Sequence, residues 1–226
     1  MTKFFALTEI RKPEDIIPFL GKPDLHWKPG YSACELARSW VGAADGVPAP
    51  VRAVLETSQE YGGAELVEGF FERQVDLRTP GRASQTDLLV LLRVHKEFAV
   101  LAVEGKVEEP FGPLVSEWDD GSTGKRTRLA GLCAVLGLDQ AAARGLRYQL
   151  LHRAVSAVFE AERYGCGRAL LLVHSFSAKR SSLADFVAFS ETLGCPVEVG
   201  QVSPSARDCG GVGLRLSWVA DQVSPT

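Results

Sequence analysis

Two short apolar runs in the middle of the chain dominate its hydrophobic pattern. They cover residues 87–94 and 97–106, are rich in Val and Leu, and contain few polar positions. Such short and nearly continuous apolar runs are typical of strands that are covered on both faces of a sheet. We therefore predict two neighbouring central strands, joined by the dipeptide at residues 95–96.

The segments around these runs alternate between helical and extended patterns. The predicted helices cover residues 32–41, 49–58, 129–136, 141–164 and 182–193, and the remaining predicted strands cover residues 66–75, 168–176, 197–202 and 212–219. Ser32 is the predicted cap of the first helix, with Glu35 completing a capping box. The order α-β-β-β-α-β predicts an α/β fold, in which a mixed central sheet carries helices on both faces.

A single compact domain is expected from the length and composition of the chain. The 226 residues are 46% hydrophobic and 23% charged, which is ordinary for a globular protein. Residues 1–48 are expected to form an N-terminal arm and helix that pack on the core. Residues 49–226 are expected to form that core, ending in a helix and strands.

Composition also argues against several classes of protein. No apolar run approaches the roughly 18 residues that a membrane span needs, and the N-terminus mixes charges with prolines, so a cytoplasmic protein is expected. The five cysteines contain no C-x-x-C pair and the four histidines no metal-binding spacing, so most are predicted to be packing residues. The net charge of −3 argues against tight non-specific DNA binding by the isolated chain. This net charge is compatible with local basic patches, with a homodimer and with a protein partner.

The two apolar runs carry acidic residues at their open end. If residues 95–96 form the hairpin loop, paired residue numbers sum to 191, and Asp87 lies opposite Glu104. Lys106, two residues further on, projects from the same face. His-Lys is not a favoured pair for a two-residue loop, so a longer loop with a shifted register stays open. Two opposed carboxylates repel unless a cation lies near them, and their hard oxygen atoms suit Mg²⁺ or Mn²⁺.

This arrangement resembles a known motif. Ser84-Gln85-Thr86-Asp87, an apolar hairpin and then Glu104-Gly105-Lys106 resemble the signature of the PD-(D/E)xK phosphodiesterase superfamily. The order of elements over about residues 50–176 is similar to the αβββαβ core of that superfamily, which is the restriction-endonuclease-like core. The sequence differs in having Thr86 where the motif has proline.

The resemblance implies roles for individual residues. Asp87 and Glu104 would bind Mg²⁺ or Mn²⁺ with the backbone carbonyl of Gly105. Lys106 would orient or activate the attacking water and stabilise charge on the phosphate. A glutamine on the helix after the hairpin, here Gln149, would assist. A glutamate from the first core helix would join them; Glu56 is the candidate, with Glu35 and Glu65 behind it.

Basic residues on either side of the hairpin are candidates for contact with nucleic acid, with DNA preferred to RNA. They are Arg82, Lys125, Arg126, Arg128, Arg147 and Arg153. A solvated loop explains the charges around residues 125–128 equally well.

The chain also resembles an uncharacterised bacterial family, whose recurring segments correspond to residues 103–112 and 147–153. That resemblance implies a fold and no substrate. The resulting hypothesis is a metal-dependent nuclease, in which water activated at the metal attacks a phosphodiester. The alternative is a catalytically inactive binding or interaction module on the nuclease fold.

Overall fold

The structure is a computed structural model, and it describes residues 3–223. Eight strands in this part of the chain form one sheet with the order β2-β1-β3-β4-β5-β6-β8-β7. The strands are β1 (Phe4–Phe5), β2 (Glu9–Ile10), β3 (Glu65–Val75), β4 (Ser84–Val94), β5 (Glu97–Lys106), β6 (Arg168–Ser175), β7 (Arg207–Cys209) and β8 (Val212–Ala220). Strands β3, β4 and β5 are antiparallel neighbours, whereas β5, β6 and β8 run parallel. The sheet is therefore mixed.

Helices cover both faces of this sheet. They are α1 (Pro23–His26), α2 (Ser32–Val41), α3 (Ala49–Leu55), α4 (Val115–Trp118), α5 (Thr123–Leu136), α6 (Gln140–Ala143), α7 (Tyr148–Arg163) and α8 (Leu183–Leu193), with a 3-10 helix at Pro13–Phe19. Apolar side chains of α5, α7 and α8 form one core against the sheet, and those of α2, α3 and the 3-10 helix form the other. The predicted α/β fold, with a mixed sheet between two helical layers, is confirmed.

The central hairpin has the predicted register. Val94 pairs with Glu97 and Leu88 with Val103, so paired residue numbers sum to 191. The loop contains only His95 and Lys96, and His95 adopts a φ of 56°. A left-handed residue at the first central position lets a two-residue loop follow the twist of its strands, which is why an unfavoured dipeptide still closes this hairpin. Alternate side chains of β4 enter the two opposite cores, as expected of a strand that is covered on both faces.

Several predicted boundaries were wrong. Helix α5 begins at Thr123, six residues before the predicted start. The predicted helix 141–164 is divided into α6 and α7, because the backbone of Arg147 bridges to Leu114 and interrupts it. Residues 197–202 make isolated bridges to β8 and do not form a strand.

The predicted capping box at Ser32 was also wrong. Tyr31 occupies the cap position without a side-chain cap bond. The carboxylate of Glu35 accepts a hydrogen bond from the backbone N–H of Gly30 at 2.8 Å.

The N-terminal region is part of the same sheet. Strand β1 pairs with β3, and β2 pairs with β1, so residues before the core hairpin extend the sheet at its edge. Gly69 of β3 lies directly under the ring of Phe4. Within residues 3–223, no helix is long and apolar enough to cross a membrane.

Candidate functional site

The two central strands separate at their open end. Pairing between β4 and β5 stops at Leu88 and Val103. Beyond this point residues 84–86 of β4 remain paired with β3, while residues 104–106 of β5 remain paired with β6. We call this opening, formed by residues 84–87 and 104–106, the strand fork.

Asp87 closes the narrow end of the strand fork. Its Oδ2 accepts a hydrogen bond from the backbone N–H of Gly105 at 3.0 Å. This bond satisfies a backbone donor of β5 at the point where β5 no longer pairs with β4. The Asp87 side chain keeps 28% of its surface exposed. The backbone ladder ends one pair before Asp87 and Glu104, and Arg153 links the two carboxylates across the opening.

Glu104 is the most heavily bonded carboxylate of the strand fork. Its Oε1 accepts hydrogen bonds from Lys106 Nζ at 2.9 Å and from Gln149 Nε2 at 2.6 Å, while its Oε2 accepts one from Arg153 Nε. Lys106 Nζ also donates to Gln149 Oε1 at 3.3 Å. The side chain of Glu104 is only 2% exposed. The predicted grouping of Asp87, Glu104, Lys106 and Gln149 is thus present in the structure.

Arg153 places a buried guanidinium between the two carboxylates. It bonds Glu104 through Nε, approaches Asp87 Oδ1 with Nη2 at 3.4 Å, and donates from Nη1 to Ser84 Oγ at 3.1 Å. Arg153 is one of the predicted nucleic-acid contacts. In the structure its first role is to compensate the charges of the strand fork, because a buried carboxylate needs a paired cation.

The environment separates the pKa values of the two acids. Burial, and after it the charge of Glu104, raise the pKa of Asp87 well above its usual range despite the nearby Arg153. Burial acts on Glu104 in the same direction, but the charges of Arg153 and Lys106 outweigh it and hold the pKa of Glu104 below its usual range. Asp87 is therefore the acid that takes up a proton more readily.

Lys106 is held in its charged form. Burial favours the neutral amine, but the charges of Glu104 and Asp87 outweigh burial and raise the pKa of Lys106. Its ammonium also lies 4.9 Å from the centre of the Phe111 ring. A charged Lys106 has no free lone pair, so it can donate hydrogen bonds and stabilise negative charge but cannot act as a general base at neutral pH.

Glu72 is a third acid near the strand fork that the sequence did not reveal. It lies in β3 between Phe71, which pairs with Leu88, and Arg73, which pairs with Thr86, so it is level with Asp87. Its φ of 54° is left-handed, which is uncommon for a side-chain-bearing residue inside a strand. Gln85 Nε2 donates to its carboxylate. No sequence signal marks a single left-handed residue inside a strand, because the residues on either side keep the ordinary strand pattern.

The structure does not bring Glu56 into the strand fork, and Glu56 lines neither of the two cavities beside it. Glu56 lies exposed at the end of α3, and its carboxylate accepts a hydrogen bond from the backbone N–H of Gly63 at 2.9 Å. Helix α2 packs beside the strand fork instead: a Cβ built on Gly105 would lie 3.4 Å from the Leu36 side chain. Glu65, one of the reserve candidates, is exposed and pairs with Arg93. The other, Glu35, is fully buried in α2 and bonded to Gly30 as described above.

A cavity opens on each side of the strand fork, and Gln85 and Lys106 line both. The first has a volume of about 850 Å³ and is here called the acidic cavity; its carboxylates are Glu72, Asp87, Glu104, Glu108 and Glu109. The second has a volume of about 840 Å³ and is here called the basic cavity; its cationic side chains are Arg82, Lys106, Lys125, Arg128 and Arg153.

The predicted nucleic-acid contacts divide into two groups. Arg82, Lys125, Arg128 and Arg153 line the basic cavity. Arg126 and Arg147 are not among its lining residues; Arg126 is exposed on α5, and Arg147 pairs with Asp185 at 3.0 Å. Spacing along the chain could not separate these groups, because α5 turns Arg126 away from its neighbours.

The strand fork carries oxygen atoms of the kind that divalent cations prefer as ligands. Mg²⁺ is commonly held by one or two carboxylates together with water and substrate phosphate. Asp87 and Glu104 supply that number of hard oxygen ligands, and both line the acidic cavity. Within residues 3–223 no cluster of three or more His, Cys, Asp or Glu side chains has metal-binding geometry. The strand fork therefore supplies two carboxylates, the number that an Mg²⁺ site completed by water or substrate commonly uses.

One family model matches the chain. It is described as "Domain of unknown function (DUF6946)" and covers residues 9–223, which include the strand fork and both cavities. None of the curated proteins and none of the solved structures compared with the chain matches it. Because the family model covers nearly the whole sequence, the chain belongs to the DUF6946 family.

Proposed function

We propose that this protein is a metal-dependent phosphodiesterase that cleaves nucleic acid, with a site of the PD-(D/E)xK type. The observation that carries the proposal is the strand fork, where Glu104, Lys106 and Gln149 are hydrogen-bonded to one another and Asp87 accepts a hydrogen bond from the backbone N–H of Gly105. Support also comes from the element order α3-β3-β4-β5-α7-β6, which is similar to the αβββαβ core of that superfamily.

The proposed cofactor is Mg²⁺ or Mn²⁺ on the carboxylates of Asp87 and Glu104, and the backbone carbonyl of Gly105 stays a predicted third ligand. When bound, such a cation supplies Lewis-acid polarisation of a phosphoryl oxygen and lowers the pKa of a water molecule.

The protein's own residues have separate tasks in this proposal. Lys106, charged and buried, donates hydrogen bonds to the phosphate as negative charge develops on it. Gln149 holds Lys106 and Glu104 at fixed positions from α7. Asp87, which accepts a hydrogen bond from the backbone N–H of Gly105, would hold the cation together with Glu104.

A cleavage assay tests the proposal. Wild-type protein is incubated with Mn²⁺ and single- and double-stranded DNA and RNA, beside Asp87→Asn, which removes one negative charge with little change in shape. We expect Asp87→Asn to lower the cleavage rate on the order of 100-fold or more, as for other charge-stabilising groups at active sites. Glu56→Gln is the matched control, since it makes the same kind of change at an exposed carboxylate outside the strand fork and should keep the wild-type rate.

Lys106→Met separates chemistry from metal binding. It should lose cleavage while Mn²⁺ still raises the melting temperature, because the carboxylates are retained. Cleavage that survives both Asp87→Asn and Lys106→Met would assign any activity to another site or to a contaminant.

A catalytically inactive binding module on the same fold is the second candidate, and one observation favours it. Arg153 and Lys106 form ion pairs with the carboxylates of Asp87 and Glu104 and so compensate their charges. This candidate predicts no cleavage, no melting shift with Mn²⁺, and binding of a partner that is unchanged in Glu104→Gln. A Mn²⁺-dependent melting shift that is lost in Asp87→Asn would contradict it.

A further inference from the structure

The basic cavity carries charge of one sign. Its five cationic side chains face no lining Asp or Glu among residues 3–223, although the whole chain has a net charge of −3. The acidic cavity on the other side of the strand fork carries five carboxylates. Separated charges in low-dielectric clefts concentrate ions of opposite sign, so the acidic cavity attracts cations and the basic cavity attracts anions.

The cations of the basic cavity are engaged to different degrees. Lys106 and Arg153 bind Glu104, and Lys125 binds Asp120 at 2.9 Å. Arg128 donates to the backbone carbonyls of Pro80 and Arg82 and so fixes the loop that forms one wall. The side chain of Arg82 is exposed and makes no hydrogen bond or ion pair within the described part of the chain. Arg82 is therefore the cation that is available to an incoming anion.

An aromatic wall adjoins these cations. The rings of Trp118 and Tyr148 are stacked with centroids 3.9 Å apart and planes 8° from parallel. Arg128 Nε donates to the hydroxyl of Tyr148, and the His152 ring lies 5.0 Å from the Tyr148 ring. Cationic side chains beside flat aromatic surfaces are what proteins use to hold unpaired nucleotides, through phosphate contacts and base stacking.

The size of the cavity limits what it can hold. Cavities of roughly 300–1,000 Å³ enclose drug-sized molecules, and the basic cavity, at about 840 Å³, lies in this range. A nucleotide or two is of that size, whereas a base-paired duplex is much wider.

We propose that the basic cavity binds an unpaired strand of nucleic acid. Arg82 contacts its phosphates, a base lies against Trp118 or Tyr148, and the strand leads toward Lys106 at the strand fork. The inference deepens the proposed function by making single-stranded nucleic acid its substrate, and the chemistry is shared by DNA and RNA.

The test measures binding without cleavage. Fluorescence anisotropy in EDTA at low salt compares fluorescein-labelled oligo-dT, oligo-U and a DNA duplex of the same length. We expect at least one single strand to bind more tightly than the duplex. Arg82→Ser should weaken that binding several-fold and lower the slope of log affinity against log salt by roughly 0.7, the value for one phosphate contact in a single strand.

Arg126→Ser is the matched control, because it removes the same charge from an exposed arginine that does not line the cavity. It should change the affinity less than Arg82→Ser does. Trp118→Leu should weaken binding, while Trp118→Phe, which keeps an aromatic face, should retain most of it.

The inference is overturned if the duplex binds as tightly as both single strands, if no strand binds at low salt, or if Arg82→Ser and Arg126→Ser have equal effects. Its failure is distinguishable from that of the proposed function. Mn²⁺-dependent cleavage with equal effects of the two serine variants would leave the nuclease standing and remove this strand path. Strand binding that depends on Arg82 without any cleavage would support the strand path and contradict the proposed nuclease activity.

Discussion

At the scale of single residues, Arg153 holds two acids together in a place where they would otherwise repel. Glu104 is almost completely buried, and its Oε2 bonds to Arg153. Removing one partner of a buried ion pair leaves an uncompensated charge, which costs far more than the intact pair contributes. The carboxylates of the strand fork therefore depend on α7 for their stability as well as for their position.

We predict that Arg153→Met lowers the free energy of unfolding by about 3–5 kcal/mol, because Asp87 and Glu104 lose their shared cation. Chemical denaturation measures the loss. The double variant Glu104→Gln/Arg153→Met should lose less than the sum of the two single variants, since the unpaired acid is then neutral. Arg126→Met, an exposed arginine of α5, is the control and should stay within about 0.5 kcal/mol of wild type. Additive effects in the double variant would show that the two residues do not interact.

His152 makes stability depend on pH. Burial and then the charge of Arg153 lower the pKa of His152 to about 3, and its Nδ1 lies 2.9 Å from Ser84 Oγ. The unfolded chain takes up a proton near pH 6.5 and the folded chain does not. Stability supplied by the neutral ring is therefore present above pH 6.5 and is lost as the pH falls below it.

When the pH falls from 7 to 5, protonation of this histidine in the unfolded chain should lower the free energy of unfolding of the wild type by roughly 2 kcal/mol at most. Urea unfolding of wild type and His152→Gln at both pH values measures the difference, since the glutamine does not titrate. If the free-energy difference between the two proteins is the same at pH 7 and pH 5, His152 is not the group responsible.

At the scale of elements, the junction of β1 with β3 depends on a missing side chain. A Cβ on Gly69 would lie 2.5 Å and 2.6 Å from two atoms of the Phe4 ring. Phe4 is buried and packs against Phe71 with ring centroids 5.7 Å apart, so it cannot move away freely. The glycine thus lets the N-terminal strand approach the sheet.

Gly69→Ala should lower the free energy of unfolding by about 1–3 kcal/mol, the usual cost of forcing extra volume into a packed core. Hydrogen exchange should show the greatest loss of protection in β1 and β2. Gly124→Ala in α5 is the control, because a Cβ there has no neighbour within 4 Å. It should leave stability unchanged or raise it by up to about 1 kcal/mol. An unchanged Gly69→Ala protein would mean that β1 docks more loosely than described.

At the scale of the whole molecule, one sheet joins the N-terminal region to the rest. Strands β1 and β2 extend the edge next to β3, and the two cores on opposite faces share the central strands. Trp40 is buried in one core and Trp218 in the other.

We expect a single unfolding transition, because neither core can lose its packing while the shared strands remain ordered. Tryptophan fluorescence and far-ultraviolet circular dichroism should report the same midpoint in guanidinium chloride. Two separated midpoints would instead show that the N-terminal region unfolds by itself.

Much of the strand fork follows from the sequence alone. Period-two strand geometry and a two-residue loop fix which residues of a hairpin are opposite, so Asp87 and Glu104 could be placed just beyond the last pair, Leu88 and Val103, by counting. Gln149 could be placed on the neighbouring helix because the apolar pattern of that segment is helical. These features depend on residues that are close in the chain, where the number of possible geometries is small.

The tertiary structure alone decided which distant groups complete the site. Helix α2 packs against Gly105, whereas Glu56 lies exposed at the end of α3, and a single left-handed backbone conformation brought Glu72 level with Asp87. The docking of α7 set Arg153 between two acids, and the orientation of α5 placed Lys125 and Arg128 at a cavity but Arg126 on the outer surface. Such contacts join segments far apart in the chain, and their geometry depends on how whole elements pack, which no local pattern of residues specifies.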